Sequence, residues 1–196
     1  NFVSLSGWCF VTFELFLQKI SKMKTINALA LLLVFNFGFA QKKFNKTDVQ
    51  KFQKKINTEF ADPKTSPLMA EDLKTFKSLE FFPISETYFV TATLEKAKGG
   101  KVFEMKTSGN YTPKYIKYGT LNFKINGKAF KLAVYQSLEL IVQEKYKNHL
   151  FLPFSDLTSG KQSYIGGRYI DLGIPKGNTI AIDFYQAYKP YYAYNY

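Results

Sequence analysis

The stretch YGTLNFKINGKAFKLAVYQ, Tyr118 to Gln136, decides the fold class. Leu121, Phe123 and Ile125 alternate with Asn122 and Lys124, and in an extended chain residues two apart share a face. Asn126-Gly127 then supplies the pair that accepts positive φ at both positions of a tight primed turn. Phe130, Leu132 and Val134 return on the face that Leu121, Phe123 and Ile125 began, so this is an antiparallel hairpin with one apolar side.

The same period extends outward. Tyr88, Val90, Ala92 and Leu94 alternate with Phe89, Thr91, Thr93 and Glu95, and Gly99-Gly100 turns the chain into a second run from Val102 to Met105. Beyond the hairpin, Leu150 to Phe154 and Thr179 to Phe184 are further strand candidates, and Phe154 to Asp171 between them reads as a loop. Before Tyr88 the period is helical. Val49, Phe52, Ile56 and Phe60 make one stripe on a helix that begins near Thr47 and ends at Pro63. Ser66-Pro67 reads as an N-cap with proline in the first turn of a shorter helix carrying Leu68, Met69, Leu73 and Phe76. Strand and helix do not alternate and no internal repeat is visible. The expected fold is α+β and mostly β: an antiparallel sheet, curled or sandwiched, with the N-terminal helices packed against it.

The first forty residues call for a separate account. Residues 1–22 precede the first methionine and read as upstream translation. From Met23, a lysine, an apolar run from Ile26 to Phe37 and the small residues of Gly38-Phe39-Ala40 make a signal peptide over residues 23–40, cut near Gln41. Residues 41–196 then form one mainly β domain, extracytoplasmic (periplasmic or secreted), with no stable membrane span once the signal is removed. Cys9 and Trp8 both fall in the leader, so the exported domain has no disulfide and is held by its core. The formal charge is +12, yet the basic residues are lysines spread along the chain with a single arginine, and no nucleic-acid module pattern appears. A solvated lysine surface, and no nucleic-acid partner, is the expectation.

The segments SPLMAEDLKTFKSLEFFP, YGTLNFKINGKAFKL, LFLPFSDLTSGKQSYIGGRYID and IDFYQAYKPYYAYN resemble, in order and spacing, a bacterial and archaeal family catalogued as domain of unknown function 1684. The likeness covers most of Lys46 to Asn195 and is most specific from Phe154 to Tyr169. It carries over Asp156, Thr158, Ser159, Gly160, Tyr164, Gly167, Arg168, Tyr169, Asp183, Phe184, Ala187, Tyr188 and Pro190 as positions matching the family pattern. Tyr185 and Lys189 stand where the family usually has asparagines, and Tyr192 where it usually has a cysteine. The family runs on through a second cysteine and a proline-rich segment, which implies a chain truncated at its C-terminus here. The resemblance implies a family and no activity.

The candidate site is built around Arg168, the one arginine. A guanidinium presents a planar fork that binds carboxylates bidentately and stays charged when partly buried. Two uses fit. Arg168 ties the Asp156 loop to the Asp183 strand, with Thr158 and Ser159 bonding turn amides; or it meets an anionic ligand in a pocket walled by Tyr164, Tyr169 and Tyr188. Other chemistries lack their parts. Ser159 to Ser163 resembles a fragment of a phosphate loop, but Ser155 stands where its first glycine belongs. The sole histidine, His149, has no nucleophile elbow to serve, and one histidine without a mature cysteine makes no zinc site; no metal or cofactor is expected. The function expected is an exported, noncatalytic binding or structural protein of the cell envelope, its partner a small molecule or another envelope protein. The alternative is an extracytoplasmic hydrolase using Asp156, Asp183 and Arg168 on a small anionic or carbohydrate substrate.

Overall fold

The computed structural model describes residues 42–106 and 111–194. The expectations for the leader, upstream translation over 1–22 and a signal peptide over 23–40 cut near Gln41, lie outside the described residues.

The first helix, α1, spans Lys46–Ala61. Asn45 caps it, its side-chain oxygen accepting the backbone N–H of Thr47 at 2.9 Å, and Asp48 lies in the first turn where the helix dipole favours an anion. Val49 and Phe60 of the expected stripe are buried, while Phe52 and Ile56 are half-buried. Phe60 packs edge-on to Tyr194, ring centroids 4.8 Å apart. The second helix, α2, is shorter than expected and starts later, at Ala70–Thr75. Ser66 does not cap it: its hydroxyl accepts the N–H of Leu68 within a local turn at 3.2 Å, and α2 buries no side chain.

Seven strands follow: β1 Phe89–Lys96, β2 Val102–Glu104, β3 Lys114–Ile125, β4 Lys128–Ser137, β5 His149–Phe154, β6 Arg168–Gly173 and β7 Thr179–Asp183. They form one antiparallel sheet in the order β6-β5-β4-β3-β1-β7, with β2 beside the start of β3. The hairpin is as the sequence predicts. Asn126 and Gly127 take φ of 48° and 77°, Ile125 faces Lys128, and Leu121 and Phe123 face Leu132 and Phe130. Tyr88 differs: it lies in a short 3-10 turn ahead of β1 and is exposed. So does β6, which the sequence reading leaves inside a loop. Its alternation is weak, and what makes it a strand is the ladder with β5, from His149 opposite Gly173 to Phe154 opposite Arg168.

The sheet curls into a half-barrel. The β3–β4 ladder shifts register between Lys117 and Gly119, and such an irregularity strengthens local twist. After β7 a 3-10 turn, Phe184–Gln186, carries the chain to Tyr188, which exchanges both backbone hydrogen bonds with Tyr169 of β6 (2.9 and 3.0 Å). The last segment thus joins the two edges of the sheet. Inside lie Val90, Ala92 and Leu94 of β1, Leu121 and Phe123 of β3, Val134 of β4, Leu152 and Phe154 of β5, Ile170 of β6 and Ile182 of β7. Burying each of the larger side chains contributes about 2 kcal/mol, which is how the domain coheres without a disulfide. Among the described residues, no helix is long and apolar enough to cross a membrane.

Candidate functional site

The segment between β5 and β6 is organised by one carboxylate. Oδ1 of Asp156 accepts the backbone N–H of Thr158 at 2.9 Å and its hydroxyl at 2.5 Å, while the Asp156 N–H donates to the Ser159 hydroxyl at 3.1 Å. The Thr158 and Ser163 hydroxyls share a hydrogen bond at 2.9 Å. The N–H groups of Lys161, Gln162 and Ser163 all point at the Thr158 carbonyl, at 2.9 to 3.0 Å. Aspartate, threonine and serine close such turns because their short side chains reach backbone groups two or three residues on. The turn from Tyr164 ends on Gly167, whose N–H reaches the Tyr164 carbonyl at 3.1 Å. Gly167 is buried with φ of +88°, and a Cβ there would stand 2.5 Å from the Phe154 carbonyl oxygen. Only glycine meets both conditions.

Arg168 opens β6. Its Nη2 donates to Asp156 Oδ2 at 2.5 Å and lies 3.4 Å from the Thr158 hydroxyl. The guanidinium carbon sits 5.0 Å from the Phe154 ring centre and 5.5 Å from that of Phe82, and the side chain is 14% exposed. The expected two-pronged fork is not what forms. Thr158 already occupies Oδ1, so Oδ2 alone is held by Arg168, and Nε is buried without a hydrogen-bond partner. Partial burial would by itself push the Asp156 carboxyl up; the Thr158 hydrogen bonds and the Arg168 charge outweigh it and hold the group below its ordinary range.

The other expected members are distributed differently. Asp183 is buried at the end of β7 and caps the following turn, Oδ1 accepting the Tyr185 N–H at 3.0 Å and Oδ2 the Gln186 side-chain amide at 3.1 Å. Tyr164 is half-buried within the loop. Tyr169 and Tyr188 do not wall the arginine. Phe154 and Arg168 are opposite each other in the ladder and share the core face, so Tyr169, the next residue, turns to the outer face.

That outer face holds a second network. Asp171 Oδ1 accepts the Tyr188 hydroxyl at 3.0 Å and pairs with His149 Nε2 at 2.9 Å, while His149 Nδ1 is buried without a partner. Rings run beside it from Tyr115 to Phe151 (5.5 Å), Phe151 to Tyr169 (5.0 Å) and Tyr169 to Tyr188 (5.8 Å). Burial first, and the Asp171 charge second, push the Tyr188 phenol far above its usual range, so it stays a proton donor. In the sequence His149 and Asp171 stand 22 positions apart, with nothing local to join them. Their meeting depends on the β5–β6 ladder, which the sequence reading lacked.

Elsewhere, an open groove of about 500 Å³ runs along α1, lined by Gln50, Gln53, Lys54, Asn57, Thr58, Ala61 and Phe81. None of Asp156, Arg168 or Asp183 lines it. Among the described residues, no three acidic, histidine or cysteine side chains gather closely enough to hold a metal ion.

The chain is similar to an uncharacterized protein of Haloarcula marismortui solved by solution NMR, with 30% identity over 76% of this chain and 80% of that one and a TM-score of 0.56. No curated protein matches. A family model matches residues 74–196, which take in all seven strands, the Asp156 loop and the Tyr188 segment that joins the sheet edges. The chain belongs to the family described as Protein of unknown function (DUF1684).

Proposed function

We propose that the protein is an exported, noncatalytic binding or structural module of the cell envelope, in which the Asp156, Thr158, Ser159 and Arg168 loop is a conformational latch. The observation that carries this is the state of the three groups a hydrolase would need. Arg168 is paired to Asp156 between two rings, and both oxygens of the buried Asp183 cap a turn. A general acid and base must be free to exchange protons with a substrate, and these carboxylates are engaged by protein. The groove along α1 presents mostly apolar surface with a few polar groups, among them Gln50, Gln53, Asn57 and Thr58, which suits binding better than chemistry.

Two measurements test the reading. Melting curves of the wild type and Arg168→Lys, taken with and without a screen of anionic metabolites, glycans and lipids, should show a loss of stability in the variant that no compound reverses. A compound that stabilises the wild type and has no effect on Arg168→Lys would make Arg168 a ligand contact and overturn the latch. Export rests on the Met23 to Ala40 pattern. Expressed with its own leader in a bacterial host, the protein should be recovered outside the cytoplasm starting near Gln41; a cytoplasmic product retaining Met23 would remove the localisation.

A further inference from the structure

The outer face of the sheet has two unlike halves. Toward β1 and β7 it presents Thr91, Thr93, Asn122 and Thr179, as strand alternation requires when Val90, Ala92, Leu94, Leu121 and Ile182 point inward. Toward β6 it presents rings. The registers set Lys117, Tyr135, Phe151 and Asp171 in one row across β3, β4, β5 and β6. The rings of Tyr115 and Tyr169 both lie against Phe151, and Tyr188 follows Tyr169 across the sheet edge, each ring centre 5.0 to 5.8 Å from the next. These four rings are half-buried and contiguous.

A carboxylate is built into this aromatic half. Asp171 stands opposite Phe151, and its Oδ1 is held twice, by the Tyr188 hydroxyl and by His149 Nε2. Its side chain is 52% exposed, and among the described residues none bonds Oδ2. The arrangement costs stability, because it leaves His149 Nδ1 buried without a partner. What it achieves is a carboxylate of fixed orientation with one oxygen unused. Glu139, exposed just beyond β4, accepts the Tyr111 hydroxyl. Burial first, then the charges of Glu139 and Asp171, push the Tyr115 phenol above its usual range, so both acids act on the same ring. Lys117, exposed on this half, lies at the far end of the row, three strands or about 14 Å from Asp171. A chain of formal charge +12 thus sets two carboxylates beside one group of rings.

We infer that this face binds a small organic ammonium ion, its charge paired with Asp171 and its alkyl groups on the rings of Tyr115, Phe151 and Tyr169. The face of an aromatic ring carries negative potential, so rings and a carboxylate act together on a cation with an apolar shell. Other occupants fit worse. A sugar stacks on a flat platform, and these ring planes are tilted by 36°, 48° and 74° to one another. The core of a protein interface is depleted in aspartate, and an anion is repelled by both acids. The inference goes beyond the proposed function: it uses the opposite face of the sheet from the Arg168 latch, and its failure leaves the melting behaviour that tests the latch unchanged.

The experiment is an NMR titration of the full chain with choline and with its uncharged carbon isostere, in which a tert-butyl group replaces the trimethylammonium. Choline should shift the His149, Phe151 and Tyr169 resonances saturably, and the isostere should bind about tenfold more weakly because it loses both the ring and the carboxylate attraction. Asp171→Asn should lower choline affinity about fivefold. Glu139→Gln changes an exposed side chain and keeps the test open if Asp171→Asn does not fold; it should lower affinity about twofold. Glu95→Gln, exposed on the polar half of the same face, makes the same change of net charge and should bind as the wild type does. Co-sedimentation with phosphatidylcholine vesicles that Asp171→Asn abolishes would assign the ammonium to a lipid headgroup; choline binding without it assigns a free solute. No saturable shift with choline, equal binding of the isostere, or an equal loss in Glu95→Gln would each overturn the inference.

Discussion

Arg168 and Tyr169 are neighbours in the chain and belong to two different networks. Arg168 turns to the core face, where its charge meets Asp156 at 2.5 Å between the Phe82 and Phe154 rings. Tyr169 turns to the outer face, where its ring lies against Tyr188, whose hydroxyl bonds Asp171 beside His149. The inner network is ionic, and its acid comes from a turn that already holds that carboxylate in place. The outer network joins β5, β6 and the C-terminal segment through one oxygen of a half-exposed acid. Burial and charge make the first sensitive to any change of donor shape. The second should act through ordinary hydrogen bonds of modest worth.

The largest effect is expected where both networks begin. Gly167→Ala places a Cβ 2.5 Å from the Phe154 carbonyl in a left-handed backbone, and should destabilise by about 3 kcal/mol. Urea unfolding measures this, and a loss below about 1 kcal/mol would mean that β6 can start without that contact. Next is Arg168→Lys. An ammonium cannot keep both the Asp156 contact and the stacking between two rings, so a cost of about 2 kcal/mol is expected. Asp156→Asn should cost stability too, and the double variant less than the sum, since one interaction is lost twice. Additive losses would separate the two residues and dissolve the latch.

Tyr188→Phe removes the hydroxyl that reaches Asp171 and should cost about 1 kcal/mol. Combined with Arg168→Lys it should be additive, because the two changes lie on opposite faces of the sheet. Coupling between them would break the division into two networks. The smallest effect concerns acid. The Asp156 carboxyl is held below its ordinary range, so its contribution is present above the unfolded-state pKa and is lost as pH falls through the folded-state value. The stability difference between the wild type and Asp156→Asn should therefore be flat at neutral pH and shrink below about pH 4, where unperturbed aspartate begins to protonate. A difference that persists unchanged in strong acid would assign the cost of Asp156→Asn to packing instead of charge.

Much of the fold was legible because its signals are local. The hairpin turn needs only two adjacent residues tolerant of positive φ, and its faces follow from a period of two. The stripe of α1 follows from the helical period; the cap at Asn45, two residues ahead of the expected start near Thr47, was not read from the sequence. The loop chemistry was legible in kind, since Asp156, Thr158 and Ser159 bond groups within a few residues of themselves. The shift of α2 from Ser66 to Ala70 was less so: the Ser66 hydroxyl has a competing N–H two residues on, and α2 buries no side chain that would fix its start.

The sequence by itself determined an antiparallel, mainly β domain without disulfides and one hairpin to the residue, and it drew attention to the single arginine. Only the tertiary structure decided what that arginine meets. β6 is a strand because β5 offers it a ladder, and once it pairs, alternation separates Arg168 from Tyr169, brings Asp171 to His149, and sets Tyr188 across the sheet edge. Those contacts join residues 17 and 22 positions apart in the chain, and no spacing rule reaches that far because the partners are chosen by strand pairing. Asp183 illustrates the same limit: its type and position fitted a partner for Arg168, and the turn that follows β7 took both of its oxygens first.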